Sequence, residues 1–235
     1  MMKCCFVRRT PPFSSHHYVA ASCLVRKSLK DAVIDYDKQL GAGSSGTVYA
    51  VGAMLVLKVV SLTRAPTNED EDPVELYSTY MTNKRGSFEA EVKTSIWASE
   101  RGVGPKVYDH WTCSGAELTY FGELSKITLS DDLGFILMER IDGLTIEEYA
   151  DTYGKEFKRN YDTIKRMLGD KLQSIAEGGY FGIDIVMTNA MIKFNDPTVV
   201  DAIVMIDFDN YHPSDNATTN WKHMMYAFRE LNKLK

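Results

Sequence analysis

The sequence lacks the features that mark a membrane-spanning, secreted or nucleic-acid-binding protein. None of its apolar runs approaches the ~18 residues of a transmembrane helix, so we expect no membrane span. The opening residues, Met-Met-Lys-Cys-Cys-Phe-Val-Arg-Arg, carry charges and are followed by prolines too early for a signal-peptide core. The net charge is -5 over 235 residues and there is no broad basic field, which argues against a nucleic-acid partner.

Cysteine is also scarce, with only Cys4, Cys5, Cys23 and Cys113 in the chain. No C-x-x-C pair occurs, so a structural zinc site is not expected. Four scattered cysteines in a chain of this length are not the pattern of a disulfide scaffold. The cysteine content therefore favours a reducing compartment, and we expect a cytoplasmic protein.

The composition of the chain changes near residue 30. Pro11-Pro12 and the run Ser14-Ser15-His16-His17 predict a loose extension over residues 1–30. The polar residues 62–86, with two prolines, predict an inserted loop, and the apolar spacing after it predicts a helix from Ser87 to about Arg101. Other patterns predict strands at 47–51, 55–60, 106–108, 127–129 and 135–139, helices at 144–153 and 159–177, a hairpin of 190–193 with 203–206, and a last helix at 219–234.

The segment from Gly41 to Val48 matches the pattern G-x-G-x-x-G-x-V. Glycines allow a tight turn and let backbone N–H groups approach phosphate oxygens. Many surface loops are rich in glycine, so the match alone is weak. Its position between two predicted strands favours a phosphate-covering hairpin over a dinucleotide-binding turn, which would open a helix.

Lys58 is the one charged residue in an otherwise apolar predicted strand. A buried ammonium needs an anionic partner, although its head could instead reach solvent at the strand edge. The predicted helix that follows offers Glu89 and Glu91. Glu91 adjoins the apolar stripe at Val92, so we prefer it as the partner of Lys58, and either glutamate could instead be solvated.

Two polar segments follow in the second half of the chain. Asp184 and Asn189 are five positions apart, after a predicted helix and before a hairpin, where they form either a catalytic loop or a turn that caps its own backbone. The apolar run 203–206 ends in Asp207-Phe208-Asp209. A carboxylate at the end of a buried strand, facing a phosphate-binding loop, is a natural ligand of Mg²⁺.

A glycine loop, a strand lysine, a helix glutamate, D-x-x-x-x-N and D-F-x occur in the order that phosphoryl transfer requires. In this the chain resembles the protein-kinase superfamily, from about Asp37 to Asn210. The resemblance implies a bilobal protein-kinase-like α+β fold. It places a five-stranded antiparallel N-lobe sheet with one helix at 31–141 and a reduced, mostly helical C-lobe at 142–235, after the extension at 1–30.

The resemblance also implies roles for individual residues, with ATP and Mg²⁺ as cofactors. Lys58, Glu91 and Asp184 are the implied catalytic residues, and Asn189 and Asp207 the implied Mg²⁺ ligands. Met138 stands at the gatekeeper position. The implied nucleotide-binding residues are Gly41, Gly43, Gly46, Val48, Lys58, Met138, Glu139 and Ile141, the last two in the hinge segment that meets adenine.

The chain departs from the family pattern at several positions. Gly182-Ile183 replace the His-Arg that precedes the catalytic aspartate, so control by a phosphorylated activation loop is not expected. Val186 replaces a lysine that serine/threonine kinases use, and Asp209 replaces the glycine of D-F-G. Only 235 − 207 = 28 residues follow Asp207, too few for a full C-lobe. The chain is therefore similar to minimal kinases, such as short bacterial effector kinases and some viral kinases.

Three functions compete on these observations. A minimal serine/threonine-type protein kinase is favoured, with a protein substrate and an activating protein partner that completes the reduced lobe. A small-molecule kinase would share D-x-x-x-x-N and the acidic residue at 209, but usually has a larger C-terminal helical region. A pseudokinase would use the same fold to bind nucleotide or a partner. If the chain is viral or a secreted effector, the expected location is the host cytoplasm.

Overall fold

The structure of the chain is a computed structural model. It describes residues 17–19, 21–24, 27–29, 34–43, 46–62, 73–121, 126–182, 186–214 and 217–235. Among the helices of these ranges, none combines the length and the apolar composition that crossing a membrane requires.

A six-stranded antiparallel sheet occupies the first half of the chain. Four of its strands correspond to strands predicted from local patterns, a fifth was expected only from the resemblance, and the short sixth strand at the edge was not predicted. The sheet order is β1-β5-β6-β4-β3-β2. The strands are β1 His17–Val19, β2 Ile34–Gly43, β3 Gly46–Val51, β4 Leu55–Ser61, β5 Val107–Phe121 and β6 Lys126–Glu139.

The predicted strands at 127–129 and 135–139 are two parts of one long strand, β6. It pairs with β4 along Leu55–Ser61 and with β5 along most of its length. Register shifts in the β5–β6 pairing between Val107 and Asp109, and between Cys113 and Ala116, mark irregularities in β5. Each register shift interrupts the two-residue alternation of side chains along β5, consistent with the lack of a clear pattern at 109–120 in the sequence.

Both faces of the large sheet are covered, which explains why β4 is apolar on both sides. Leu57 and Val59 join a buried cluster that includes Cys23 and Leu29 from the N-terminal segment. Val60 points the other way, into a cluster with residues of the long helix that crosses the sheet. Antiparallel sheets usually leave one face to water, so a strand without polar alternation indicates cover on both faces.

The expectation of a loose N-terminal extension is wrong for the described residues 17–19, 21–24 and 27–29, whereas residues 1–16 lie outside the described ranges. β1 pairs with β5, and the Trp111 Nε1–H donates a 2.8 Å hydrogen bond to the Cys23 carbonyl. Cys23 also forms a disulfide with Cys113, 90 positions away in the chain. Sequence spacing could not reveal this pairing because β5 approaches the N-terminal segment only in the folded sheet. The disulfide removes the basis for expecting a reducing compartment.

The first long helix, α1, runs from Pro73 to Glu100. The sequence placed its start at Ser87 and assigned residues 62–86 to a loop, so that boundary is wrong by fourteen positions. Proline is favoured at the first helical position because the N–H of a residue there has no acceptor within the helix, so its absence in proline costs no hydrogen bond. The residues after Pro73 are mostly polar, so apolar periodicity could not find the first turns.

The second half of the chain is mainly helical. α2 is Ile146–Thr152, α3 is Gly154–Glu177 and α4 is Ala217–Lys233, close to the predicted helices. A capping box of Thr145 and Glu148 fixes the start of α2. α3 buries one face, formed by Phe157, Tyr161, Ile164, Leu168, Leu172 and Ile175.

Helix α4 packs against α3 and closes the helical region. Ala227 and Leu231 are fully buried in the same cluster as Tyr161 and Leu168. The Tyr161 hydroxyl is hydrogen-bonded to the Asn232 side chain. The amphipathic pattern at 219–234 therefore predicted both the helix and the need for a packing partner.

Two small sheets complete the helical region. β7 Gly143–Thr145, β9 Ala190–Lys193 and β10 Ala202–Met205 form the first, in the order β10-β9-β7. The predicted hairpin of 190–193 with 203–206 is therefore confirmed, ending one residue earlier. β8 Tyr180–Gly182 and β11 Tyr211–Pro213 form the second. Both sheets lie next to the loops that carry the predicted polar residues.

Candidate active site

Lys58 lies near the middle of β4, and its Cα partners across the sheet are Val48 on β3 and Ile136 on β6. Only 5% of its surface is exposed. The alternation of β4 turns Leu57 and Val59 toward the N-terminal cover, so Lys58 points to the face where α1 lies. A lysine on that face has to find a partner inside the protein, because water is not available to it.

Glu91 on α1 is that partner. The Lys58 Nζ donates a 2.5 Å hydrogen bond to Glu91 Oε1, and the exposed fraction of Glu91 is 4%. Glu89, the other candidate, is exposed. Two residues along a helix correspond to roughly 200°, so the two glutamates point to opposite sides of α1.

Asp207 is a second carboxylate on the same ammonium. The Lys58 Nζ donates a 2.6 Å hydrogen bond to Asp207 Oδ1. Asp207 follows β10 by two residues and is the only non-glycine residue with a positive φ, 62°, in the described part of the chain. That left-handed conformation turns the chain sharply after the buried strand.

The electrostatics of this cluster favour an additional cation. Burial alone would lower the pKa of Lys58, but Glu91 and Asp207 outweigh it, so the pKa is raised and the ammonium stays charged. Burial raises the pKa of Glu91, and Asp207 and Asp209 add to that rise against the effect of Lys58. The single ammonium of Lys58 is thus surrounded by more negative charges, those of Glu91, Asp207 and Asp209, than it can neutralise.

Asn189 lies beside Asp207 through the backbone. The Ile206 N–H donates a 2.9 Å hydrogen bond to the Asn189 carbonyl, and Asn189 ends a short 3-10 helix, Met187–Asn189. Asp184 lies outside the described residues. The chain on either side of it is described: Gly182 pairs with Tyr211, and the Val186 carbonyl accepts from the Asn189 N–H at 3.0 Å.

The glycine-rich segment is the hairpin between β2 and β3. Gly41 pairs with Val48 and Gly43 with Gly46, while residues 44–45 lie outside the described ranges. Gly46 has φ 146°, and a Cβ at that position would be 2.5 Å from the Val59 carbonyl oxygen. Only glycine lets the hairpin lie this close to β4, next to Lys58.

The predicted gatekeeper and hinge residues occupy the end of β6 and the link to β7. Met138 pairs with Val56 and packs against the α1 side of the sheet. The Glu139 N–H donates to the Lys106 carbonyl and the Arg140 N–H to the Met54 carbonyl, both at 2.8 Å. Ile141 lies in the link that joins the large sheet to the helical region.

Phe208 is a buried anchor whose packing the sequence did not reveal. It is 3% exposed and packs against the Tyr211 ring at a centroid distance of 5.0 Å and an interplanar angle of 52°. A Cβ on Gly104 would be 2.7 Å from its ring, so this contact needs a glycine after α1. The pair Gly102 and Gly104 was visible in the sequence, but only as the end of a helix.

The oxygen donors of Asn189 and Asp207 suit a metal ion that is bound together with a phosphate-containing ligand. In the described ranges, no three His, Cys, Asp or Glu side chains group as a metal-binding cluster. The predicted Mg²⁺ ligands, Asn189 and Asp207, are adjacent through the backbone bond of Ile206. Mg²⁺ is commonly held by one or two side-chain oxygens plus waters and phosphate oxygens, and such a site needs no protein cage.

Comparison with known proteins gives little support at the level of sequence. No family model matches the chain, and no curated protein sequence matches it significantly. Among solved structures 518 chains match, and one is a crystal structure of Rad53 1-466 in complex with AMP-PNP. That match has 15% identity and a TM-score of 0.47, and covers 76% of this chain and 38% of the other. Likeness at that level is too low to argue from, so an assignment depends on the site itself.

Proposed function

We propose that the chain is an ATP- and Mg²⁺-dependent phosphotransferase with a bilobal protein-kinase-like fold. The large sheet with α1 is the N-lobe and the helical region from residue 142 is a reduced C-lobe. The acceptor we propose is a protein hydroxyl, which makes the chain a minimal serine/threonine-type protein kinase. An activating protein partner is part of this proposal, whereas a cytoplasmic location is not, because the Cys23–Cys113 disulfide removes the basis for it.

The observation that carries the proposal is the convergence of three elements on one ammonium. Lys58 from β4 contacts Glu91 from α1 and Asp207 from the end of β10, at 2.5 and 2.6 Å. A buried charge cluster of this kind costs desolvation energy, so a purely structural role would be served as well by apolar residues. A site that must bind a polyphosphate needs such a cluster.

The surrounding backbone supports a nucleotide between the hairpin and the link. Gly41, Gly43 and Gly46 would cover the phosphates with their N–H groups, and Val48 would contact the base from above. Met138 would close the back of the pocket, and the backbone of Glu139 and Ile141 would meet the adenine edge. The Glu139 N–H already bonds to Lys106, so its carbonyl and the Ile141 N–H are the groups we assign to adenine.

Lys58 would grip the phosphates, and Glu91 would hold its Nζ in place. Asp207 and Asn189 would hold Mg²⁺, which neutralises charge on the phosphates when it is bound. Asp184 would orient the acceptor hydroxyl and receive its proton. In this arrangement the protein contributes position and fixed charge, which supply most of the catalysis in phosphoryl transfer.

The choice of a protein acceptor over a small molecule is supported by the small extent of the described helical region. α4 packs on α3, with Ala227 and Leu231 buried in a shared cluster. A small-molecule kinase needs a larger domain to enclose its substrate, whereas a protein acceptor brings its own surface. The reduced lobe therefore favours a protein substrate.

Incubation of the purified chain with γ-labelled ATP, Mg²⁺ and a panel of proteins tests the proposal. We expect label on the chain itself or on a protein, and loss of this transfer in Asp184→Asn by roughly 10²–10⁴-fold. Label appearing only on added sugars, choline or aminoglycosides would replace the protein acceptor with a small molecule. ATP binding without any transfer, unchanged in Asp184→Asn, would make the chain a pseudokinase and end the enzyme proposal.

A further inference from the structure

Helix α1 carries two side chains that reach different parts of the molecule. Glu91 contacts Lys58 of the large sheet. Trp97 is six residues later, about 120° away around the helix, and packs against the buried cluster of the helical region. The orientation of α1 is therefore set from both sides, and any rotation at Trp97 moves Glu91 with it.

Trp97 sits in a notch formed by the turn after α3. A Cβ built on Gly178 would lie 2.0 Å from Trp97 Cζ2, so no residue with a side chain fits there without moving the indole. Gly179, with φ 76°, carries the chain away from the helix end. The notch exists because two glycines follow Glu177.

Aromatic and cationic groups hold the indole in this notch. The Tyr180 ring lies 4.8 Å from the Trp97 ring, centroid to centroid, at an interplanar angle of 45°. The Arg101 guanidinium lies 4.9 Å from the ring centroid. Together these contacts fix the rotamer of Trp97 as well as its depth.

The end of α1 has two further attachments to the helical region. The Lys171 Nζ donates a 2.6 Å hydrogen bond to the Gly102 carbonyl, which also places a cation at the C-terminus of α1. The Met205 N–H donates a 2.9 Å hydrogen bond to the Val103 carbonyl. Met205 ends β10, two residues before Asp207, so the same attachment joins the end of α1 to the segment that carries this carboxylate.

We propose that Trp97, seated against Gly178, is a positioning residue that holds α1 at the angle at which Glu91 meets Lys58. It touches neither nucleotide nor acceptor and acts through Glu91. The inference rests on the proposed phosphotransferase function, because a Lys58–Glu91 pair that is held permanently in contact matters for the transfer of phosphate.

A compensating pair of substitutions tests the proposal. Gly178→Ala adds a methyl where the indole lies, and Trp97→Phe removes the benzo ring that the methyl would meet. We expect Gly178→Ala to lower kcat by about 10–100-fold, as displacement of a positioned group does. The double variant should recover at least half of that loss on a logarithmic scale, with KM for ATP changing less than kcat in each protein.

Gly154→Ala is the matched control. Gly154 is the first residue of α3, the helix that Gly178 follows, and a Cβ at Gly154 would meet nothing within 4 Å. It should retain wild-type kcat. A merely structural role for Gly178 would lower stability without rescue by Trp97→Phe. Wild-type kcat in Gly178→Ala, or a double variant no better than Gly178→Ala, would overturn the proposal.

Hydrogen exchange of residues 86–100 separates this inference from the proposed function. Gly178→Ala should speed exchange in this part of α1 and the double variant should restore it, whether or not the chain transfers phosphate. An inactive wild type would end the proposed function, and unchanged exchange in Gly178→Ala would end the positioning role. If Gly178→Ala does not fold, Trp97→Ala empties the notch without a clash, and wild-type kcat in that variant would likewise overturn the proposal.

Discussion

Lys58 and Asp207 are 149 positions apart in the chain, yet the Lys58 Nζ lies 2.6 Å from Asp207 Oδ1. The same nitrogen lies 2.5 Å from Glu91 Oε1, so the ammonium is shared between two carboxylates. A cation that binds Asp207 could use Oδ2, or take Oδ1 in place of Lys58. In the second case Lys58 is free to turn toward a phosphate while Glu91 still holds it.

Glu91 and Glu89 offer a matched pair on one helix. Glu91→Gln removes the charge that orients Lys58 and should lower the rate of phosphate transfer by about 10²–10³-fold. Glu89→Gln changes an exposed residue and should leave the rate within about twofold of wild type. Initial rates with labelled ATP measure both. Equal rates in the two variants would remove Glu91 from the site.

The disulfide makes the state of the cysteines measurable. Alkylation of the unfolded, unreduced chain followed by peptide mass mapping should leave Cys23 and Cys113 unmodified, and both should be modified after reduction. Cys113→Ser should lower the free energy of unfolding by about 2–4 kcal/mol, because a loop spanning 90 positions is no longer closed in the unfolded chain. Modification of Cys23 and Cys113 without reductant would contradict the pairing.

Leu231 tests whether α4 is an integral part of the helical region. It is fully buried, so Leu231→Ala should lower the free energy of unfolding by about 2–5 kcal/mol. Met225 on the same helix is 49% exposed, and Met225→Ala should change it by less than about 0.5 kcal/mol. Urea denaturation compares the two. Similar small effects would mean that α4 does not pack as described.

We expect the buried hydroxyl of Tyr149 to make the free energy of unfolding depend on pH in the alkaline range. Its hydroxyl donates a 2.5 Å hydrogen bond to the Pro197 carbonyl, and burial raises its pKa above the ordinary value of 10.0. A raised pKa in the folded state gives stability that is complete below pH 10.0 and is lost as the pH rises through the folded value. Tyr149→Phe lacks this contribution and should be less stable at neutral pH by about 1 kcal/mol.

The measurement is urea denaturation of wild type and Tyr149→Phe from neutral pH to about pH 11. The difference between the two proteins should shrink above pH 10.0. Tyr108 is 49% exposed, so Tyr108→Phe is the control and should change the free energy of unfolding at neutral pH by less than about 0.5 kcal/mol. A constant difference across this range would show that the Tyr149 hydroxyl does not titrate with folding.

The sequence predicted those parts of the fold in which local pattern and burial agree. The strand around Lys58 and the hairpin of 190–193 with 203–206 are short apolar runs, the last helix has a helical apolar spacing, and each is present. The first turns of α1 were missed because they are polar, and their start is marked only by Pro73. The packing of Cys23 and Leu29 on the sheet was missed, although β4, apolar on both faces, indicated that both faces are covered.

The candidate site was predictable as a set of residues but not as a geometry. The order of Lys58, Glu91 and Asp207 could be read from motifs, and the preference for Glu91 over Glu89 followed from its place beside the apolar stripe. The contact of Lys58 with Asp207 and the seat of Trp97 against Gly178 depend on tertiary packing over more than 80 positions. No local pattern encodes such contacts.

Titration calorimetry of ATP, with and without Mg²⁺, tests the central claim that Lys58, Glu91 and Asp207 form a metal-nucleotide site. Wild type should bind ATP at least about tenfold more tightly with Mg²⁺, a difference of ~1.4 kcal/mol. Asp207→Asn should lose this dependence, whereas Asp170→Asn, at an exposed position on α3, should keep it. Equal ATP affinity of wild type with and without Mg²⁺, or full Mg²⁺ dependence in Asp207→Asn, would contradict the account.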